Sequence, residues 1–228
     1  NITGLDTSFR QTGTLNIATT RSRHQEFLRQ KTMSKLFDLN IEIIDKNKFK
    51  TLYPIGKNKD IYSGLYIPED GQADPEILTK SIAIAAKKRG VKIIEKCKLE
   101  KILKRGNQIR GVKTNRGKIN CEYIVLCAGM WSRQIGEAAG VSIPLYPNEH
   151  FYMITEDYNN LPKDLPTFRD PDTYLYAREY HGKMMLGIFE PNAKNAFKKT
   201  SKVPNNFSFG EFKVCLLYTS DAADDVRG

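Results

Sequence analysis

Tyr123-Ile124-Val125-Leu126-Cys127-Ala128-Gly129-Met130-Trp131 says more about the architecture of this chain than any other stretch. From Tyr123 to Cys127 the residues are apolar without alternation, the pattern of a strand buried on both faces of a parallel sheet. Ala128 and Gly129 then strip side-chain bulk from the backbone, and Trp131-Ser132-Arg133-Gln134-Ile135-Gly136 opens a helical pattern. A strand that ends in small residues and turns into a helix lets backbone N–H groups come close to a phosphate or a ring. Every α/β protein has strand-to-helix turns, so the flanking segments carry the argument.

Just upstream, Val91 to Glu95 reads as a strand, and Lys98 to Lys104, Gln108 to Thr114 and Lys118 to Tyr123 as three more. Their links, Arg105-Gly106-Asn107 and Asn115-Arg116-Gly117, are hairpin turn chemistry. Before them, Asp74-Pro75-Glu76 starts a well-marked helix: Asp74 caps it, Pro75 takes the first helical position and Glu76 complements the dipole. Ile77, Leu78, Ile82, Ala85 and Ala86 form its expected buried stripe, and Gly90 closes it. Nearer the N-terminus, Gln11 to Ala18 alternates as a half-exposed strand does. A helix through Leu39 follows, with Phe27, Leu28, Met33, Leu36 and Phe37 at helical spacing. Ile41 to Ile44 is a short strand, Asp45 caps a helix that stops before Pro54, and Gly64 to Pro68 is a strand ended by the turn Glu69-Asp70-Gly71. Downstream, Pro144 to Ile154 returns to strand-like alternation and Pro162 to Pro171 reads as a connection. Tyr174 to Glu179 and Lys183 to Phe189 pair as a hairpin across Tyr180-His181-Gly182.

The net charge of +10 over 228 residues raises a nucleic-acid reading. Lysines are spread along nearly every segment and are not interleaved with the aromatic platforms of single-strand binders, so the charge reads as solvated surface and no nucleic-acid partner is expected. No window holds the roughly 18 apolar residues of a membrane span, and no membrane partner is expected either. Cysteines 97, 121, 127 and 215 contain no CxxC pair and only three histidines are present, too sparse for a structural zinc site. Cys127 reads as a packed thiol. A reducing compartment, bacterial cytoplasm or mitochondrial matrix, suits this usage.

Both ends carry expectations of their own. A start at Asn1, without Met, points to sequence upstream. At the other end, Cys215-Leu216-Leu217-Tyr218-Thr219-Ser220-Asp221-Ala222-Ala223-Asp224 resembles a translated sequencing-adapter read-through, so residues 214–228 are set aside as non-native. A genuine helix starting at Ser220 is the alternative.

Arg10-Gln11-Thr12-Gly13-Thr14-Leu15, Asp70-Gly71-Gln72-Ala73-Asp74-Pro75, Cys127-Ala128-Gly129-Met130-Trp131, Glu149-His150-Phe151-Tyr152, Tyr176-Ala177-Arg178-Glu179 and Phe189-Glu190-Pro191 occur in this order. Together, over roughly residues 5 to 212, they resemble the D-amino-acid-oxidase-like flavoproteins, specifically the dimethylglycine and sarcosine dehydrogenase branch. The resemblance implies a mixed α+β and α/β fold. Part of an FAD-binding domain (73–140) would lie between two pieces of a substrate domain (1–72 and 141–213) built on a mixed, largely antiparallel sheet. It implies FAD as cofactor, with tetrahydrofolate a one-carbon acceptor in the full-length protein. The GxGxxG turn that cradles the pyrophosphate in such enzymes does not occur in this sequence, so tight FAD binding by these residues alone is not expected.

In the flavin part, Leu99 falls where relatives meet the adenine through main chain. Ala128 and Gly129 are the expected dinucleotide contacts, because small residues permit close approach. Trp131 either walls the flavin or staples the following helix. His150 is the expected catalytic residue: an imidazole titrates near neutrality and can deprotonate a substrate amine. Tyr176 matches a tyrosine that faces substrate in relatives. Arg178 would share its strand face and either pair a substrate carboxylate or be tied to Glu179 or Glu190. Tyr152 shares a face with His150. The implied reaction is oxidative demethylation of an N-methylated glycine, with the electron acceptor open. The alternatives are oxidation of another amino acid and, from a different class, a non-enzymatic basic protein binding RNA or acidic surfaces.

Overall fold

The computed structural model describes residues 4–197 and 202–207; residues 214–228 lie outside them. The chain divides into two compact units, Asn1–Ile93 with His150–Pro191 and Ile94–Glu149 with Asn192–Gly228. These boundaries fall some way from the 72/73 and 140/141 divisions expected from sequence.

The first unit is built on seven strands: β1 (Thr14–Ala18), β2 (Glu42–Ile44), β3 (Ser63–Ile67), β7 (Phe151–Ile154), β8 (Thr167–Asp170), β9 (Leu175–Tyr180) and β10 (Lys183–Ile188). Their spatial order is β2-β3-β1-β8-β9-β10-β7. Only β1 and β8 run parallel, with Thr14 beside Thr167 and Asn16 beside Arg169; every other neighbouring pair is antiparallel. This is the mixed, largely antiparallel sheet that the family resemblance implies. The β9–β10 hairpin turns through His181 and Gly182, both at positive φ (52° and 82°), as a tight hairpin turn requires.

Side-chain alternation divides this sheet into two faces. On one, Leu15, Ile17, Ala177 and Met184 join Phe49, Tyr53 and Leu165 in the main core. Helix α2 (Lys46–Leu52) delivers Phe49, and it starts where expected: Asp45 accepts hydrogen bonds from the N–H groups of Asn47 (3.0 Å) and Lys48 (2.8 Å). On the other face, Ala18 and Leu65 bury Phe27 of helix α1 (Arg21–Ser34). Glu179, on the core side of β9, is 4% exposed and paired with Arg10 at 2.6 Å. With its amide turned so that each atom has a partner, Gln72 donates to the Glu179 carbonyl (3.2 Å) and accepts from Arg10 (3.0 Å).

Helix α3 (Pro75–Lys88) stays with this unit. Asp74 caps it through the N–H groups of Glu76 and Ile77, and Ser81 Oγ donates to the Asp6 carbonyl at 2.5 Å. The second unit holds a three-stranded meander of β4 (Leu99–Arg105), β5 (Gln108–Thr114) and β6 (Gly117–Asn120), with the expected hairpin turns. Helix α4 (Ser132–Ala139) packs on β4 and ends at Gly140, in the left-handed region at φ 79°.

Several expectations are corrected. Tyr123 to Cys127 forms no strand: Tyr123 and Val125 are both 86% exposed, and Cys127 is exposed, not packed. A strand buried on both faces needs a ladder partner at each edge and a layer above and below, and the described residues supply neither. Val91 to Ile94 is likewise unpaired, and Glu95 lies in a turn. On α3 the buried residues are Ser81 and Ala85, whereas Ile82 is 60% exposed and Ile77 is also exposed. On α1 only Phe27 of the expected stripe is buried; Leu28 and Met33 are exposed, as are Leu36 and Phe37 in the 3-10 turn that follows. The supposed connection 162–171 contains β8, whose Pro-rich flanks hid a central strand.

Two stability tests follow. Truncating Phe49, 1% exposed, should cost about 3–5 kcal/mol in a Phe49→Ala variant; a loss under about 1 kcal/mol by chemical denaturation would show that α2 does not seal the core. For Glu179, burial pushes the carboxyl up, but the Gly182 N–H and Arg10 outweigh it and hold it below its ordinary 4.5. A lowered folded value means stability that is present above the ordinary range and lost as pH falls through the folded value. Glu179→Gln should therefore flatten the acid limb of a pH–stability curve, and an acid limb identical to that of the parent would disprove the linkage.

Candidate active site

The register of β8, β9, β10 and β7 sets which side chains share the face opposite the main core. Arg169 stands opposite Tyr176, Tyr176 opposite Gly187, and Gly187 opposite Tyr152; Arg178 stands opposite Met185. Alternation carries the same face on to Phe189 beyond β10 and back to His150 before β7. The rings bear this out. Tyr176 stacks on Phe189 with centroids 4.8 Å apart, and His150 meets Phe189 edge-on at 5.3 Å. His150 Nδ1 lies 3.2 Å from Glu190 Oε2. One phenylalanine thus gathers an imidazole and a phenol, and the three expected residues His150, Tyr152 and Tyr176 are brought together on one open surface.

The electrostatics follow from this grouping. Burial pushes the Tyr176 phenol up, and Tyr152 and Glu190 add to the shift, against a smaller opposing effect of Arg178. Tyr176 is therefore a protonated hydroxyl at neutral pH, able to donate a hydrogen bond. Both carboxylates that might have held Arg178 are engaged elsewhere, Glu179 with Arg10 and Glu190 with His150. Its guanidinium sits 5.1 Å from the centroid of the Tyr180 ring. Among the described residues no ion pair occupies it, and it borders a cleft of about 790 Å³ that Arg10, Asp74 and His181 also line.

Of the residues expected at the cofactor, Leu99 opens β4 and lines a cleft of about 520 Å³ within the second unit, with Ile102, Gln134, Ile135 and Val203. Ala128 leads into a 3-10 turn, Gly129–Trp131, and Gly129 adopts φ 51°. A methyl group at Gly129 would meet no atom within 4 Å, so its main chain is accessible. Trp131 packs against Phe207, with ring centroids 6.3 Å apart. The residues present fit FAD in two respects: uncovered main chain at the small-residue turn, and an open face bearing a protonated donor beside aromatic walls. The sequence reading placed Phe189-Glu190-Pro191 in the motif set, yet it missed that Glu190 is the partner of His150 and that Gly187 lies between the two tyrosines. No local signal marked them, because both depend on the β7–β10 pairing, which joins segments that no hairpin connects.

The chain is similar to known proteins in sequence and in fold. The family described as FAD dependent oxidoreductase matches residues 1–209. The chain is 31% identical over 211 residues to 4-methylaminobutanoate oxidase (formaldehyde-forming) of Paenarthrobacter nicotinovorans, covering 92% of this chain and 25% of that protein. It is 34% identical over 217 residues to mitochondrial sarcosine dehydrogenase of Homo sapiens, covering 93% and 23%. Among solved structures, L-proline dehydrogenase from P. horikoshii superposes with a TM-score of 0.74 at 28% identity, covering 80% of this chain and 50% of that one. The chain spans about a quarter of the length of the curated relatives it matches. In sequence and in fold, this chain belongs to the FAD dependent oxidoreductase family.

Proposed function

We propose that the full-length protein oxidises a small N-methylated amino acid, dimethylglycine or sarcosine. A hydride equivalent leaves the N-methyl carbon while the nitrogen lone pair closes the C=N bond of an iminium, which water splits into the demethylated amine and a one-carbon unit, released as formaldehyde or passed to tetrahydrofolate. The relatives named above are described as acting on sarcosine and on 4-methylaminobutanoate, and both substrates carry an N-methyl amine and a carboxylate. Within this reading, residues 1–72 and 141–213 serve the substrate and 73–140 the flavin.

FAD, when bound, accepts the hydride equivalent from the carbon next to nitrogen. The chain's own residues prepare that event. His150 takes the ammonium proton, freeing the lone pair that stabilises the developing iminium, and Glu190 fixes the orientation of the imidazole through Nδ1. Tyr176 donates its hydroxyl hydrogen to the substrate, with Tyr152 as a second hydroxyl on the same face. Arg178 pairs the carboxylate through its two-pronged guanidinium. Leu99, Ala128, Gly129 and Trp131 are assigned to the nucleotide.

The observation that carries this reading is the placement of His150 and Tyr176 against the one Phe189 ring. In the flavin-loaded full-length protein, His150→Ala should slow anaerobic flavin reduction by about 10²-fold, and Tyr176→Phe by about tenfold, the loss of one hydrogen bond. Rates unchanged from the parent at every pH would refute the role of His150. Presenting dimethylglycine, sarcosine, 4-methylaminobutanoate and proline in turn separates the N-methylglycine reading from oxidation of another amino acid: faster reduction by proline than by any methylamine would overturn it.

A further inference from the structure

The residue that faces both tyrosines of the proposed site has no side chain. Gly187 is buried in β10, opposite Tyr176 of β9 on one side and opposite Tyr152 of β7 on the other. A Cβ added there would overlap the Cζ and hydroxyl of Tyr176 and lie 2.6 Å from its Cε1. Strand side chains ordinarily stand roughly perpendicular to the sheet. Tyr176 instead lies down across β10, occupying the space a side chain at Gly187 would fill. Phe189, two residues on and just past the end of β10, stacks on the ring at 4.8 Å and holds it there. An aromatic ring laid over a cross-strand glycine is a known way of covering the gap that the glycine leaves.

The direction of the lean has a chemical consequence. Crossing β10 from β9 carries the hydroxyl towards β7, the strand of Tyr152, which begins one residue after His150. The influence of Tyr152 on the Tyr176 phenol agrees with the two hydroxyls approaching one another. We infer that Gly187 is a positioning residue: its missing Cβ lets the Tyr176 hydroxyl reach across β10 to the place beside Tyr152 and His150 where the substrate amine is held. This rests on the proposed function for the role of Tyr176, but not for the placement of its ring.

The test separates the two. Gly187→Ala is made in the flavin-loaded full-length protein, and two quantities are read. The ¹³Cζ resonance of Tyr176, assigned with Tyr176→Phe, reports the surroundings of the phenol without turnover. Anaerobic stopped-flow with sarcosine reports flavin reduction. The resonance should move and titrate nearer to the ordinary 10 of an open phenol. The limiting reduction rate should fall by up to about tenfold, the loss given by Tyr176→Phe, with most of the loss in the limiting rate and not in the apparent substrate Kd. Should Gly187→Ala fold poorly, Tyr176→Ala and the double variant complete a cycle in thermal midpoint. With the ring as the obstacle, adding Gly187→Ala to Tyr176→Ala lowers the midpoint far less than it does in the parent. An equal loss in both backgrounds, or an unmoved Tyr176 resonance, would overturn the inference. A displaced Tyr176 with flavin reduction unchanged would confirm the positioning and overturn the role given to Tyr176 in the proposed function.

Discussion

Thr14 and Asn16 of β1 lie beside Thr167 and Arg169 of β8, and this parallel pairing joins parts of the chain 153 residues apart into one sheet. Two hydroxyls meet across it, Thr14 and Thr167 at 2.8 Å. Gly13, at φ 78°, turns the backbone so that its carbonyl accepts from the Thr167 N–H at 3.0 Å while its own N–H donates to the Asp70 carbonyl at 2.8 Å. Without this contact, β2-β3-β1 and β8-β9-β10-β7 would be two ladders, each with an unpaired central edge. Because side chains alternate with a period of two, the same contact decides which face of every later strand is buried. A slip of one residue would bury Tyr176 and Arg178 and turn Ala177 and Glu179 towards solvent.

The chemistry of the site depends on that alternation. Arg178 and Glu179 are neighbours in sequence with opposite fates. Glu179 points to the core side and is committed to Arg10, so Arg178 on the open side takes part in no ion pair among the described residues and lies over the Tyr180 ring. Glu190 likewise goes to His150. The first unit therefore presents an imidazole, a phenol and a guanidinium on one sheet face, with the Asp74 carboxylate close enough to Arg178 to be lowered by it. Burial pushes that phenol up from its ordinary value, and Phe189 and Gly187 are the two positions that give the ring somewhere to lie.

Local features were legible in the sequence because their causes are local. Asp45 and Asp74 cap their helices through N–H groups two and three residues away, and the hairpins at 105–107, 115–117 and 180–182 follow from turn residues acting within a few positions. Features with long-range causes were not. Tyr123 to Leu126 has the composition of a buried strand, but burial depends on neighbours the described residues do not provide. The apolar residues of α1 have helical spacing, yet only Phe27 finds a partner, in Leu65 and Ala18. β8 was hidden by its prolines, although its placement between β1 and β9 needs only a short run free of them.

The site divides in the same way. Six motifs in order pointed to the family and to His150, Tyr152, Tyr176 and Arg178, because residue type and order along the chain are properties of sequence. Glu190 as the partner of His150, the release of Arg178 and the gap at Gly187 became visible only in three dimensions. Each is a relation across strands, set by hydrogen-bond register between segments that touch only after the sheet has formed. Sequence by itself determined the family and the order in which the chain carries its side chains; the pairing of distant strands decided which of them face one another.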